Sequence, residues 1–214
     1  MNRLFVFALA TLLTAPLLAQ RQSDPDKNVT GGGSLPAGWK ARIDGSAPLA
    51  GVKVMPMGGG MHFMTGPAGI YYRPADTASG AYEARATFTQ MEPAAHPEAY
   101  GLIVGGSDLE GAGQKYTYFL IRQDGKFMIK RRAGANTPTV ADWTDNAAIK
   151  KADASGKMTN ALAIDVGKDK VRFLVNGTEV ASTEPAKVDT DGIAGLRINH
   201  NLNVHVEGFG VKTH

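Results

Sequence analysis

The chain is predicted to be an all-β protein, folded as an antiparallel sandwich or barrel. Three observations carry that prediction. Short runs of alternating apolar and polar residues recur from Trp39 onward, at the spacing of strands joined by tight turns. Gly, Asp and Asn punctuate the runs where hairpins need them. Helical periodicity is nearly absent, with room for one or two turns between Asp145 and Ala154.

The runs follow in order. Tyr82, Ala84, Ala86 and Phe88 alternate with Glu83, Arg85 and Thr87, the signature of a strand with one buried face. Tyr100, Leu102 and Val104 alternate with Gly101, Ile103 and Gly105. Residues 116–122, 127–131, 162–166, 171–175, 193–198 and 204–211 repeat the format. Between them, Asp124-Gly125 and Asn176-Gly177 are type I′ hairpin signals, because both central residues of that turn take positive φ. Lys168-Asp169 marks a third tight turn.

A different segment precedes these runs. Arg3 is followed by an apolar stretch over residues 4–18, interrupted only by Thr11, Thr14 and Pro16, with Ala19 at the position of a cleavage site. That is the pattern of a secretory signal, and it is short of the about 20 residues of a membrane span. The expected organisation is a signal over 1–19, a polar glycine-rich flexible leader over 20–35 and one sandwich domain over 36–214. The expected location is secreted or periplasmic, with no integral membrane segment once the signal is removed. Roughly 195 residues would remain, enough for one domain with a sizeable core.

The absence of cysteine excludes thiol nucleophiles, disulfide frameworks and cysteine zinc sites. The formal charge is only +3. The densest basic cluster, Lys130-Arg131-Arg132, would split between two faces of a strand, so no nucleic-acid partner is expected.

Several segments together are similar to a known architecture. Tyr100-Gly101-Leu102-Ile103-Val104, Tyr116-Thr117-Tyr118-Phe119-Leu120-Ile121 and Asp124-Gly125-Lys126-Phe127 resemble the centre of a laminin-G-like or concanavalin A-like jelly roll. Residues 160–164, the hairpin at Phe173-Leu174-Val175-Asn176-Gly177 and Gly192-Ile193-Ala194-Gly195-Leu196 extend the likeness. The resemblance implies a jelly-roll β-sandwich of the lectin and glucanase kind, a fold that hosts many functions. In style the chain is similar to secreted bacterial 3-keto-disaccharide hydrolase-like domains. Only Gly38-Trp39 matches their opening segment, and no catalytic residue carries over. The glucanase branch places carboxylates as Glu-x-Asp-x-x-Glu on one strand, and no such run occurs here.

Candidate sites are therefore read from the residues. A sugar-binding sandwich needs aromatic platforms and a few fixed polar groups. Tyr116, Tyr118 and Arg122 share one face of a strand; Tyr100 on its neighbour, with Arg131 and Trp143, could complete a ligand surface over the room left by Gly101 and Gly105. The alternative is that these tyrosines are core or cross-strand aromatics. The loop from Met91 to Glu98 holds Glu92, His96 and Glu98, which could make an acid–base pair or ligate a metal; the alternative is an exposed polar loop. Met55, Met57, Met61, His62 and Met64 form a soft thioether and imidazole set suited to Cu(I); the alternative is ordinary core packing by methionine. Asp189 and Asp191 ahead of Gly192 could hold a structural calcium, or form a plain turn. His200, His205 and His214 show no ligand spacing. The expected function is binding of a carbohydrate or cell-envelope polymer, with no cofactor required. The alternatives are a glycoside-processing hydrolase or lyase with acidic residues from separate strands, and a structural or adhesive module.

Overall fold

A computed structural model describes residues 24–214; the expected signal segment lies outside the described residues. Fourteen strands follow one another: β1 Lys40–Ile43, β2 Val52–Met57, β3 Gly60–Thr65, β4 Gly69–Ala78 and β5 Tyr82–Gln90. Next come β6 Ala99–Ser107, β7 Lys115–Arg122, β8 Lys126–Ala133, β9 Thr139–Asp145 and β10 Met158–Val166. The last are β11 Val171–Val175, β12 Thr178–Thr183, β13 Gly192–Ile198 and β14 Asn203–Thr213. Helix among the described residues is limited to three single 3-10 turns, and none lies between Asp145 and Ala154. No helix among them is long and apolar enough to cross a membrane.

The strands form two antiparallel seven-stranded sheets. The first runs β1-β4-β13-β6-β7-β8-β9, the second β12-β11-β10-β5-β14-β3-β2. This is the jelly-roll sandwich that the alternating runs and the resemblance predict. Each run lies in a strand; β1 to β4 and the polar β9 and β12 fall outside the runs that periodicity picks out.

Alternation puts every second side chain between the sheets. Aromatic pairs tie the two layers: Phe88 stacks on Tyr100 at 5.4 Å between ring centroids, Phe119 meets Phe173 at 5.4 Å, and Phe63 meets Tyr71 edge-on at 5.0 Å. All six rings are wholly buried. Burying an aromatic side chain is worth several kcal/mol, roughly 3–5 by the cost of truncation, so burial alone holds a chain without disulfides.

The turns refine the hairpin prediction. At Asn176-Gly177 both residues take positive φ, 51° and 80°, as a type I′ turn requires. At Asp124-Gly125 only Gly125 is left-handed (φ 85°), and its N–H donates to Arg122 O at 3.0 Å. That loop is a type I turn closed by a left-handed glycine, the three-residue hairpin instead of the two-residue one.

Residues 24–35, expected as part of a flexible leader, make defined contacts. Lys27 N donates to Asn201 Oδ1 at 2.7 Å, Asn201 Nδ2 donates back to Asp24 Oδ1 and Pro25 O, and Gly33 N donates to Val52 O. Asn201 takes a positive φ of 58° in making them.

Candidate functional site

The outward face of the first sheet is built from cross-strand rows. One row reads Lys40, Tyr72, Gly195, Ile103, Tyr118, Lys130 across six strands; the next reads Arg42, Ile70, Arg197, Gly101, Leu120, Met128. Tyr116 stands opposite Arg132. Such neighbours have Cβ atoms about 5 Å apart, so each row is a contact surface. Ile103, Ile70, Tyr72, Tyr116 and Leu109 make a second apolar cluster on this face, separate from the core.

The β6–β7 loop closes over one end. Arg42 Nη1 donates to Leu109 O at 3.2 Å and Gly111 O at 2.6 Å, which fixes the loop backbone. Lys40 Nζ donates to Glu110 Oε1 at 2.6 Å, and the Tyr72 hydroxyl lies 3.4 Å from the same oxygen. The hydrogen bond from Lys40 holds Glu110 below the ordinary carboxylate range. Tyr72 is pushed up to about 12, first by burial and then by Glu110. The buried Gln114 carboxamide, oriented by its neighbours, accepts from Arg42 Nη2 at 3.3 Å and Arg132 Nη2 at 3.2 Å. Arg42, Asp44, Glu110, Gln114 and Arg132 line a cavity of about 560 Å³. Behind it, Arg197 clamps Asp44 with two hydrogen bonds of 2.9 and 2.5 Å. Arg42 and Arg132 pair with no carboxylate among the described residues. The cavity can therefore offer guanidinium donors to an anion.

The other end of the face carries Trp143. The Arg122 guanidinium sits 4.3 Å from the Trp143 ring centroid and is itself held by Asp124 at 2.8 Å. Trp143 and Tyr118 pack on Ala99, Leu120 and Met128, half-exposed. Tyr118 thus lies between the Trp143 end and the arginine cavity.

Of the six predicted binding residues, Tyr116, Tyr118, Arg122 and Trp143 are on this face. Tyr116 is the most covered, and burial raises its hydroxyl as it does that of Tyr118. Tyr100 is not there. It pairs with Ile121 instead of a tyrosine, points between the sheets, and has a buried hydroxyl without a partner. Arg131 is also turned away: it pairs with Thr117, and donates to Asp189 through two bonds of 2.9 and 3.1 Å. Lys130 and Arg132 do point outward, so the basic cluster divides as alternation requires. Gly101 and Gly105 leave no ligand space. A Cβ at Gly101 would lie 2.0 Å from Phe119 O, and one at Gly105 2.4 Å from the Asp189 backbone; both glycines admit close approach of main chain.

Asp189 and Asp191 do not stand as a free pair of carboxylates. Asp189 is engaged by Arg131 and Asp191 Oδ1 accepts from Gly80 N at 3.1 Å. The Met91–Glu98 loop makes no acid–base pair of its own either, since His96 is exposed and Glu98 reaches His200 Nε2 at 2.9 Å. Asp24, Glu98 and His200 bring ligand-capable atoms within 4.8 Å of one another, an arrangement no local spacing in the chain signals. Burial alone would lower His200, but Glu98, then Asp26 and Asp24, raise it overall.

The methionine segment divides. Met61 packs inward on the core and Met57 is exposed at a hairpin end. Met55, His62 and Met64 share the outward face of the second sheet, where His205 of β14 stands directly opposite His62. Burial, then the neighbouring His205, lowers His62, against weaker opposing effects of Asn203 and Glu92.

The two sheets and their connections define a concanavalin A-like jelly-roll sandwich. Among solved structures, a carbohydrate binding module from Bacillus subtilis, CBM66, superposes with a TM-score of 0.60 at 8% identity, covering 82% of this chain and 96% of that one. A Bacillus subtilis protein of unknown function with a galectin-like fold gives 0.59 at 13% identity, covering 82% and 89%. A Bacteroides ovatus mixed-linkage glucan GH16 protein, solved with a product, gives 0.54 at 8% identity, covering 78% and 92%. These likenesses concern the fold. No family model and no curated protein sequence matches the chain.

Proposed function

We propose that this protein is a secreted or periplasmic carbohydrate-binding module that takes a polymer bearing acidic groups along the outer face of the first sheet. The observation that carries the reading is the pairing of half-exposed Tyr118 and Trp143 with the Arg42–Gln114–Arg132 cavity on one face. Aromatic planes accept sugar rings, and guanidinium groups accept carboxylate or phosphate in fixed geometry. The fold neighbours include a carbohydrate binding module, which is consistent with this use of the scaffold.

A second reading, a hydrolase or lyase, draws on one feature: Asp44 and Glu110 line the same cavity. Each carboxylate is held by a cation, Asp44 by Arg197 and Glu110 by Lys40, and Glu110 is lowered where a general acid must be raised. The binding reading is therefore the stronger. The test is a binding screen of acidic and neutral polysaccharides, read by affinity electrophoresis and calorimetry, with product analysis of each mixture. Retention by uronic-acid or phosphate-bearing polymers, weakened by added salt and without chain cleavage, supports the proposal. Equal binding of neutral polymers, or none, overturns its acidic specificity or the module itself; cleavage would install the enzyme in its place.

A further inference from the structure

The outer face of the second sheet carries a feature that polymer binding does not use. Antiparallel pairing of β2, β3 and β14 aligns Met55, His62 and His205 in one row, and Lys53, Met64 and Asn203 in the next. The His62 and His205 ring centroids are 6.2 Å apart, with 31° between the planes. Both residues are 9% exposed. The Nδ1 atoms of both are buried without a well-formed hydrogen bond, and so is Asn203 Oδ1 in the adjoining row, which is near enough to His62 to raise it slightly. A buried polar atom without a partner costs roughly 1–3 kcal/mol. Three of them meet in one patch.

We propose that Met55, His62, Met64 and His205 form a binding site for a single Cu(I) ion. The donor chemistry selects the ion. Two imidazole nitrogens and two thioether sulfurs are neutral ligands, and thioether favours Cu(I) over the hard divalent cations, which want carboxylate and carbonyl oxygen. Glu207 is the one carboxylate paired with these imidazoles among the described residues. Its Oε1 lies 3.5 Å from His205 Nε2, on the ring nitrogen opposite the orphaned Nδ1. A carboxylate on that side favours the tautomer protonated at Nε2 once the two draw together, leaving the Nδ1 lone pair for a metal, the usual arrangement of a ligating histidine. Glu207 is thus a positioning residue. Binding forms Cu–N and Cu–S bonds without any change in oxidation state. Met57, exposed at the hairpin end, and Met61, turned into the core, take no part.

The test is anaerobic titration of the purified protein with Cu(I) against a chromophoric Cu(I) chelator, followed by X-ray absorption at the copper edge. The expected result is one ion per chain with nitrogen and sulfur scatterers. Met55→Leu combined with Met64→Leu keeps side-chain volume and should remove the sulfur signal and weaken retention. His62→Asn with His205→Asn should abolish uptake, while Met57→Leu changes nothing. Glu207→Gln should weaken affinity about tenfold. Circular dichroism and thermal unfolding of each variant separate ligand loss from misfolding. No uptake by the wild type overturns the proposal, as does uptake that survives both double variants. Tighter binding of Zn(II) than of Cu(I), indifferent to the methionines, overturns the choice of ion.

Discussion

The two outward faces of the sandwich obey the same register rule and are filled in opposite ways. On the first sheet an apolar strip of Ile70, Ile103, Leu120 and Met128 is flanked by long, polar-tipped residues: Lys40, Arg42, Tyr72, Tyr118, Lys130 and Arg132. They build a raised surface that seats the β6–β7 loop. On the second sheet the middle of β10 and β5 is low, with Ala161, Ala163 and Thr87 at the floor of a shallow depression. Glu83, Arg85 and Leu174 stand around the same depression, and the histidine–methionine set lies beyond it on β2, β3 and β14. Core packing constrains only inward side chains, so what faces outward is free to specialise. One scaffold can present an extended surface on one side and a compact donor cluster on the other.

That contrast can be broken at several points. The largest effect falls on the layer both faces share. Tyr100→Ala should cost about 3–5 kcal/mol in chemical denaturation, as for any buried aromatic. Tyr100→Phe should stay within about 1 kcal/mol of wild type, because the lost hydroxyl has no partner. A tyrosine that served the binding face would show the reverse, weaker ligand binding with little change in stability.

On the first face, Arg42→Ala with Arg132→Ala should weaken binding of an acidic polymer at least about a hundredfold, since hydrogen bonds to charged groups contribute about 1.5–3 kcal/mol each. The second face should keep its behaviour toward copper. Trp143→Ala should reduce affinity by about tenfold or less, removing a ring platform and the seat of the Arg122 guanidinium. Calorimetry on a single polymer measures both.

The smallest effect concerns the edge where residues 24–27 meet the sheets. His200 is raised above its unfolded value, so its contribution is fully present below about pH 6.5 and is lost as pH rises through the higher folded value. Amide protection factors in residues 24–27, taken relative to the base-catalysed exchange of the unfolded chain at each pH, should therefore fall on going from pH 6 to pH 8. His200→Gln should remove that dependence, and a pH-independent wild type would disprove the clasp.

Much of the fold was legible because alternation is local. The same parity that makes a strand amphipathic put Tyr116, Tyr118 and Arg122 on one side and divided Lys130 and Arg132 from Arg131. Relations between strands were not legible. Tyr100 belongs to a strand buried on both sides from Ala99 to Gly106, so its own pattern has no marked face, and a one-residue difference in register decides between core and surface. Arg42 and Gln114 meet through an edge strand and a loop far apart in the chain. His205 reaches His62 from the last strand, and no spacing within either segment announces the pair. Asp189 carried a plausible cation pattern, but its guanidinium partner is supplied from β8.

The order of strands within the sheets has a consequence in time. β13 lies between β4 and β6, and β14 between β5 and β3, so the final pair of strands occupies the interior of both sheets. Until residues 192–214 are available, β1–β4 stand apart from β6–β9, and β2–β3 apart from β5 and β10–β12. Four fragments with raw edges wait for two closing pieces. Such late, long-range pairing slows folding and leaves edges open to other chains. The strands that deliver Arg197 and His205 therefore also set the moment at which either face first exists.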